Sequence, residues 1–310
     1  MAVQSRLREQ QQVIFDDLLT AAKIVDAPVD SEGLTQNLSV FARFFSPTAE
    51  DTAVAYRITT HKKDVSMRYI NFAVRHNPYE MAAANGLIER DGHPIEDLID
   101  QLEPQIDLFG YGSDIAVSHG FEKVWPFFAM KPIQDIAKLP ALPDAVRQHR
   151  DYFAKHKMEQ VSVMAIDYYH KSLNLYFLMR GPDGTFKPGG TYTREQWVEM
   201  FTDLGFAHPT DAELDIFMQA FVVYPTFSWD SQEIERLCVC MPGGKVEHIP
   251  YGLHPITERF VKEAPVQAPP TAYTYCPTYG RDVKYLKMEV DYSGRYMPTI
   301  IGPIIASLHA

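Results

Sequence analysis

The chain is 310 residues long, 46% hydrophobic, and carries a formal net charge of −11. That length supports one large core or two ordinary ones, while the acidic balance argues against nucleic acid or an anionic membrane as the main partner, since both select a basic surface. Three cysteines, Cys238, Cys240 and Cys276, are too few for a disulfide framework, and without an HExxH or a paired CxxC they lend a metal site little support.

The opening stretch MAVQSRLREQQQVIFDDLL lacks the apolar run of a secretion signal, and no window is long enough to span a bilayer, so a cytoplasmic protein without membrane association is expected. Helical periodicity covers Leu7–Val25 and Leu34–Phe44. A first hairpin follows, Val54–Thr60 with Met67–Val74 about the charged turn HKKD. Helical stretches at Tyr79–Leu87 and Ile95–Leu102 lead to a second, Ile106–Tyr111 with Phe121–Phe128, for which the Gly-rich GYGSD reads as the turn. Helices at Ile133–Lys138 and Asp144–Lys157 precede a third hairpin, Val161–Tyr168 with Ser172–Met179. Thr193–Leu204, with Thr193 and Gln196 as a capping box, and Asp211–Gln219 precede a fourth, Phe221–Ser228 with Ile234–Met241. His254–Glu263 precedes the last, Thr271–Tyr279 with Asp282–Tyr292, and an apolar tail at Tyr296–Leu308 closes the series.

The order helix, helix, strand, strand thus recurs five times, with hairpins starting 51 to 59 residues apart. Ten antiparallel strands leave two open edges unless they close, and ten are enough to close around a cavity. The expected fold is α+β: a ten-stranded antiparallel barrel ringed by helices, in a single domain over residues 1–310. Such a barrel packs helices on its outer face, so the apolar strand positions turn outward and polar ones fill the lumen. Because alternate residues share a face, Leu173, Leu175 and Phe177 fall outside while Asn174 and Tyr176 fall inside. The same parity puts Arg57, Arg68, Lys123, Arg236 and Lys287 in the lumen with Trp125, Tyr224 and Tyr275. Clustered cations repel one another and call for an anion; a diphosphate fits, and arginine grips it bidentately. Aromatic faces beside that anion stabilise a cation by about 0.5–2 kcal/mol each. Together they suit ionisation of an allylic diphosphate in a site that excludes water. A noncatalytic barrel that holds a small molecule is the rival reading, and the cationic lumen counts against it.

The chain resembles the soluble aromatic prenyltransferases with ααββ repeats, the ABBA or PT-barrel family. The resemblance is carried by GHPIEDLID from Gly92, GFEKVWPFF at Gly120–Phe128, LPALPDAV at Leu139–Val146, AIDYYHKSLNLYF at Ala165–Phe177 and VYPTFSWDSQEIERLC at Val223–Cys238. It implies transfer of a dimethylallyl or geranyl group from its diphosphate to an electron-rich aromatic acceptor in secondary metabolism, with C-, O- and N-prenylation all open. It implies diphosphate contacts at Lys123, Asn174, Arg236 and Lys287, joined by Tyr224, Tyr275, Arg57 and Arg68, with His170 nearby. Trp125 and Tyr176 would flank the prenyl chain, and Ser162, Phe221 and Glu289 would face the acceptor, Glu289 as the catalytic carboxylate. Members that use magnesium carry an inward aspartate on the second strand, and here Arg68 takes that place. No metal or other cofactor is therefore expected, and the partners implied are the donor and acceptor molecules, bound by a monomer.

Overall fold

A computed structural model describes residues 9–44, 52–73, 75–243 and 254–302. Ten strands make one closed barrel: β1 Thr52–Thr59, β2 Lys62–Asn71, β3 Leu108–Ala116, β4 Gly120–Pro132, β5 Gln160–Asp167, β6 Ser172–Leu178, β7 Val222–Ser228, β8 Arg236–Gly243, β9 Tyr273–Gly280 and β10 Lys284–Asp291. Each strand pairs antiparallel with its sequence neighbours, and β1 closes on β10 with Arg57 opposite Glu289. No edge is left exposed.

Helices occupy the gaps between hairpins. They are α1 Glu9–Ile24, α2 Ser31–Val40, α3 Pro78–Ala84, α4 Leu98–Leu102, α5 Ile133–Ile136, α6 Asp144–Gln148, α7 Arg150–Lys155, α8 Arg194–Thr202, α9 Asp211–Phe217 and α10 Pro255–Glu263. The capping box at Thr193 and Gln196 forms as expected, and Thr210 with Glu213 makes a second at the start of α9. Several helices are single turns, too short to persist alone, and hold because one side seals the barrel. The seal is the main core: Leu18, Leu34, Trp197 and Phe260 from helices pack with Tyr56, Met67, Leu175, Val239 and Met288 from the strands' outer faces. A smaller apolar cluster, including Trp125, Phe127, Val163, Leu178, Tyr296 and Ile300, lies inside the barrel. The inverted pattern expected of the strands is therefore present, with apolar residues outward and cations inward.

Two departures from the sequence expectation shape the site. The Gly-rich GYGSD is not a turn; β3 runs through it and turns only after Ala116. Gly112 is there because β2 comes close: a Cβ would stand 2.7 Å from Ile70 Cγ1 and 2.8 Å from the Tyr69 carbonyl oxygen. Continuing the strand carries Asp114 into the lumen, opposite Lys123 on β4 and Arg68 on β2. The second departure is a bulge. Lys123 faces Asp114 while Phe121 already faces Ile115, so Glu122 is the extra residue of β4.

After β10 the chain folds under the barrel. The Asp291 carboxylate accepts from the backbone N–H of Gly294 (2.9 Å) and Tyr296 (3.1 Å) and from Thr271 Oγ1 (2.6 Å). That clamp holds a π-helical turn, Met297–Ile301, within the apolar tail expected at Tyr296–Leu308; residues 303–308 of that tail lie outside the described residues. It places Tyr296 and Ile300 as the floor of the lumen.

Candidate active site

The lumen divides into two chambers that share Arg57, Tyr176 and Lys287. The upper one opens at the barrel mouth with a volume of about 680 Å³, within the usual range for a small-molecule site. Lys123, Asn174, Arg236 and Lys287 all line it, together with His170, Glu122 and Asp167. The deeper one, about 60 Å³, is mostly apolar, lined by Trp125, Phe127, Ser162, Phe221, Cys240 and Ile300 around Arg68 and Glu289.

Buried charges at the junction are paired. Lys123 Nζ lies 3.0 Å from Asp167 Oδ2 and touches Glu122 Oε1 more closely. Arg57 spans Glu122 (3.3 Å) and Asp114 (3.4 Å). Arg68 donates to Asp114 through Nε (2.8 Å) and Nη2 (3.1 Å), and through Nη1 to Glu289 (2.5 Å). Asp114 also accepts from the Trp125 indole N–H at 3.0 Å, which lays that ring against the Arg68 guanidinium, 3.8 Å from its centroid. These contacts correct the idea that the lumenal cations lack anions: the fold supplies carboxylates that the sequence reading did not place inside. Burial raises the Glu122 carboxyl, but Lys123 and Arg57 outweigh it and hold the group well below the usual range. Burial likewise lowers Arg57, and Asp114 and Glu122 more than restore it.

Lys287 is the exception. Among the described residues no carboxylate stands within ion-pair distance of it. Its Nζ donates to the Tyr224 hydroxyl at 3.2 Å and sits 4.8 Å from that ring's centroid. Burial, with Arg57, Arg236 and Lys123 nearby, pushes the amine down to about 7. Tyr224 stacks on Tyr176 with centroids 4.2 Å apart, and Tyr176 meets Trp125 at 5.3 Å. A wall of three aromatic rings therefore descends from Lys287 toward Arg68 and Glu289. The Glu289 carboxylate is held between Arg68 and the Tyr296 hydroxyl, which donates at 3.0 Å.

The sequence-derived residues divide as follows. Arg57, Lys123, Asn174, Arg236 and Lys287 meet at the mouth, with Tyr224 at the junction below them; Trp125 and Tyr176 line the passage; Ser162, Phe221 and Glu289 meet in the deep chamber. Two positions are corrected. Arg68, expected beside the diphosphate, lies in the deep chamber between Asp114 and Glu289. Tyr275 points out of the barrel: it sits opposite Met288 and Met241 and belongs to the outer core. Tyr273, Tyr275 and Tyr279 share the apolar parity of β9, which leaves Cys276 to face the lumen. Residues missed were Asp114, Glu122, Asp167 and Tyr296. Asp167 was legible, since it shares the inward parity of Ala165 on β5 and of its register partner Lys123; Glu122 was not, because the bulge breaks the alternation. Cys240 and Cys276 face each other across β8 and β9 as a disulfide, and Cys238 is a buried free thiol.

Glu122, Asp167 and His170 are, among the described residues, the one group of three His, Cys, Asp or Glu whose ligand atoms all lie within 4.8 Å of one another. They do not fit a metal as they stand, because the Lys123 ammonium already sits between the two carboxylates. No helix among the described residues is long and apolar enough to cross a membrane.

The family model described as "Aromatic prenyltransferase Orf2" matches residues 10–303. A 5,10-dihydrophenazine-1-carboxylate 9-dimethylallyltransferase from Streptomyces anulatus is 27% identical, over 89% of this chain and 91% of its own. A furaquinocin biosynthesis prenyltransferase from Streptomyces sp. (strain KO-3988) is 26% identical over 85% of each. Among solved structures, the prenyltransferase PriB, in a ternary complex with L-tryptophan and dimethylallyl thiolodiphosphate, superposes with a TM-score of 0.57 at 9% identity, covering 92% of this chain and 97% of that one; the likeness is one of fold.

Proposed function

The chain belongs to the Orf2 family of aromatic prenyltransferases, and we propose that its two chambers divide the reaction, the mouth taking the diphosphate of an allylic donor and the deep chamber, widening from its empty volume of about 60 Å³ as ligands enter, the aromatic acceptor. The observation that carries this division is Lys287, a half-buried amine that lines both chambers and has no carboxylate partner among the described residues. A diphosphate oxygen supplies the missing charge. Arg236, Asn174, Lys123 and Arg57 complete the grip, and the prenyl chain points down past Tyr176, Tyr224 and Trp125.

In this reading the C1–O bond of the donor breaks and its electron pair leaves on the diphosphate, whose charge Lys287 and the arginines stabilise. The allyl cation lies against the aromatic wall, shielded from water. A ring carbon of the acceptor attacks C1, and the proton displaced from that carbon passes to the Glu289 carboxylate, which Arg68 and Tyr296 hold in place. The donor is dimethylallyl or geranyl diphosphate. The acceptor is an electron-rich phenol, naphthalene or phenazine, in keeping with the phenazine named for the Streptomyces anulatus relative. Transfer proceeds without a divalent cation, because lysine already stands where the carboxylates of the mouth would hold one.

Purified protein incubated with each diphosphate and a panel of such acceptors, with and without EDTA, tests the reading. Prenylated product and pyrophosphate are expected in both conditions. No product from folded protein with any pair would overturn the assignment, and loss in EDTA with rescue by Mg²⁺ would overturn the metal-free mechanism.

A further inference from the structure

Glu122 borders the mouth chamber only because of the bulge in β4, which turns two consecutive residues, Glu122 and Lys123, toward the lumen. Its carboxylate touches Lys123, stands 3.3 Å from Arg57 and accepts from Ser66 Oγ at 3.0 Å. Neither cation depends on it. Lys123 keeps Asp167 at 3.0 Å and Arg57 keeps Asp114 at 3.4 Å; with Arg68 on Asp114 and Glu289, three cations meet four carboxylates. The Glu122 carboxylate faces the mouth chamber and is held by two of the residues that would grip a diphosphate.

We propose that Glu122 is a built-in competitor for the diphosphate: it holds Lys123 and Arg57 while the mouth is empty, yields them to phosphate oxygens as the donor binds, and reclaims them as pyrophosphate departs. No bond is made or broken in this exchange. It deepens the reading above, on which it rests, by giving the mouth a means of releasing a product that its cations would otherwise retain. Glu122 acts here as a positioning residue through Lys123 and Arg57.

Calorimetric titration of the full-length protein with inorganic pyrophosphate in EDTA tests this directly, alongside donor kinetics. Glu122→Gln keeps the shape and the acceptor for Ser66 while removing the charge. It is expected to bind pyrophosphate at least about tenfold more tightly and to lower both the donor KM and kcat, with release of pyrophosphate becoming slower. Ser66→Ala, a milder change that loosens Glu122 without moving a charge, is expected to shift affinity the same way, by at least about twofold. Equal or weaker pyrophosphate binding in Glu122→Gln overturns the proposal, as does weaker binding in Ser66→Ala should the first variant fold poorly. Higher affinity of the wild type for pyrophosphate with Mg²⁺, lost in Glu122→Gln, would mark the residue as a metal ligand and also overturn it. Pyrophosphate binding needs no acceptor, so absence of turnover with the shift present would count against the prenyl-transfer reading alone.

Discussion

Removing the Asp114 carboxylate is expected to cost the fold more than any other single charge in the lumen. Asp114 is fully buried, accepts two hydrogen bonds from Arg68 and one from the Trp125 indole, and lies 3.4 Å from Arg57. Asp114→Ala leaves Arg57 with Glu122 and Arg68 with Glu289, so each guanidinium keeps one anion but loses the one they share. Breaking a buried pair costs about 3–5 kcal/mol, and an indole N–H left without its acceptor adds about 1–3 kcal/mol. The surviving partners hold the sum to about 4 kcal/mol. At about 2.1 cal/mol/K of unfolding entropy for each of 310 residues, or about 650 cal/mol/K in all, that loss lowers Tm by about 6 °C. Asp114→Asn keeps an acceptor for Trp125 and is expected to lose about half as much. Urea unfolding followed by tryptophan fluorescence reads the change through the midpoint at constant slope. A loss below about 1 kcal/mol for Asp114→Ala would refute the claim that this carboxylate organises the two arginines and the ring.

Lys287 carries a pH signature whose sign follows from its lowered pKa. In the free protein a charged, half-buried amine penalises the folded state below about pH 7, and stability recovers as pH rises from about 7 toward the unfolded value of 10.5. A bound diphosphate raises the amine again, so donor binding at pH 8 takes up close to one proton and affinity falls as pH rises above about 7; calorimetry in two buffers of different ionisation enthalpy detects the uptake, and its absence contradicts the lysine's role. Lys287→Met is expected to stabilise the protein at pH 6.5 while weakening pyrophosphate binding by about tenfold or more. Glu289→Gln should lower kcat by about a hundredfold with little change in donor KM, as for loss of a general base; an unchanged kcat would assign proton removal elsewhere. Tyr275→Phe should leave pyrophosphate affinity within about twofold, since its hydroxyl lies outside the barrel, and a larger loss would return that residue to the site.

The repeat order, the number of strands and the outward apolar face were legible because each depends on local periodicity. Strand parity also identified Lys123, Asn174, Tyr176, Arg236 and Lys287 as lumenal, and these are the residues that line the mouth. Parity failed where the backbone broke its own rhythm or where the apolar face of a strand is built of tyrosines. Gly110 and Gly112 read as a turn, which hid Asp114; the bulge hid Glu122; and in β9 the tyrosines are the apolar face, so Tyr275 went to the wrong side.

By itself the sequence determined that this is a closed barrel with cations inside, since a two-residue period with one apolar face leaves few other ways to bury that face under helices. Only the tertiary structure decided which charges meet. Arg68 and Glu289 are 221 residues apart along the chain and share a bond because β1 lies between β2 and β10. Glu122 reaches Arg57 and Lys123 because one extra residue bends β4. Lys287 stands apart from them because no carboxylate within ion-pair distance faces it among the described residues. Such pairings depend on strand register and on the stagger of the closed strands, and no local pattern in the chain encodes either.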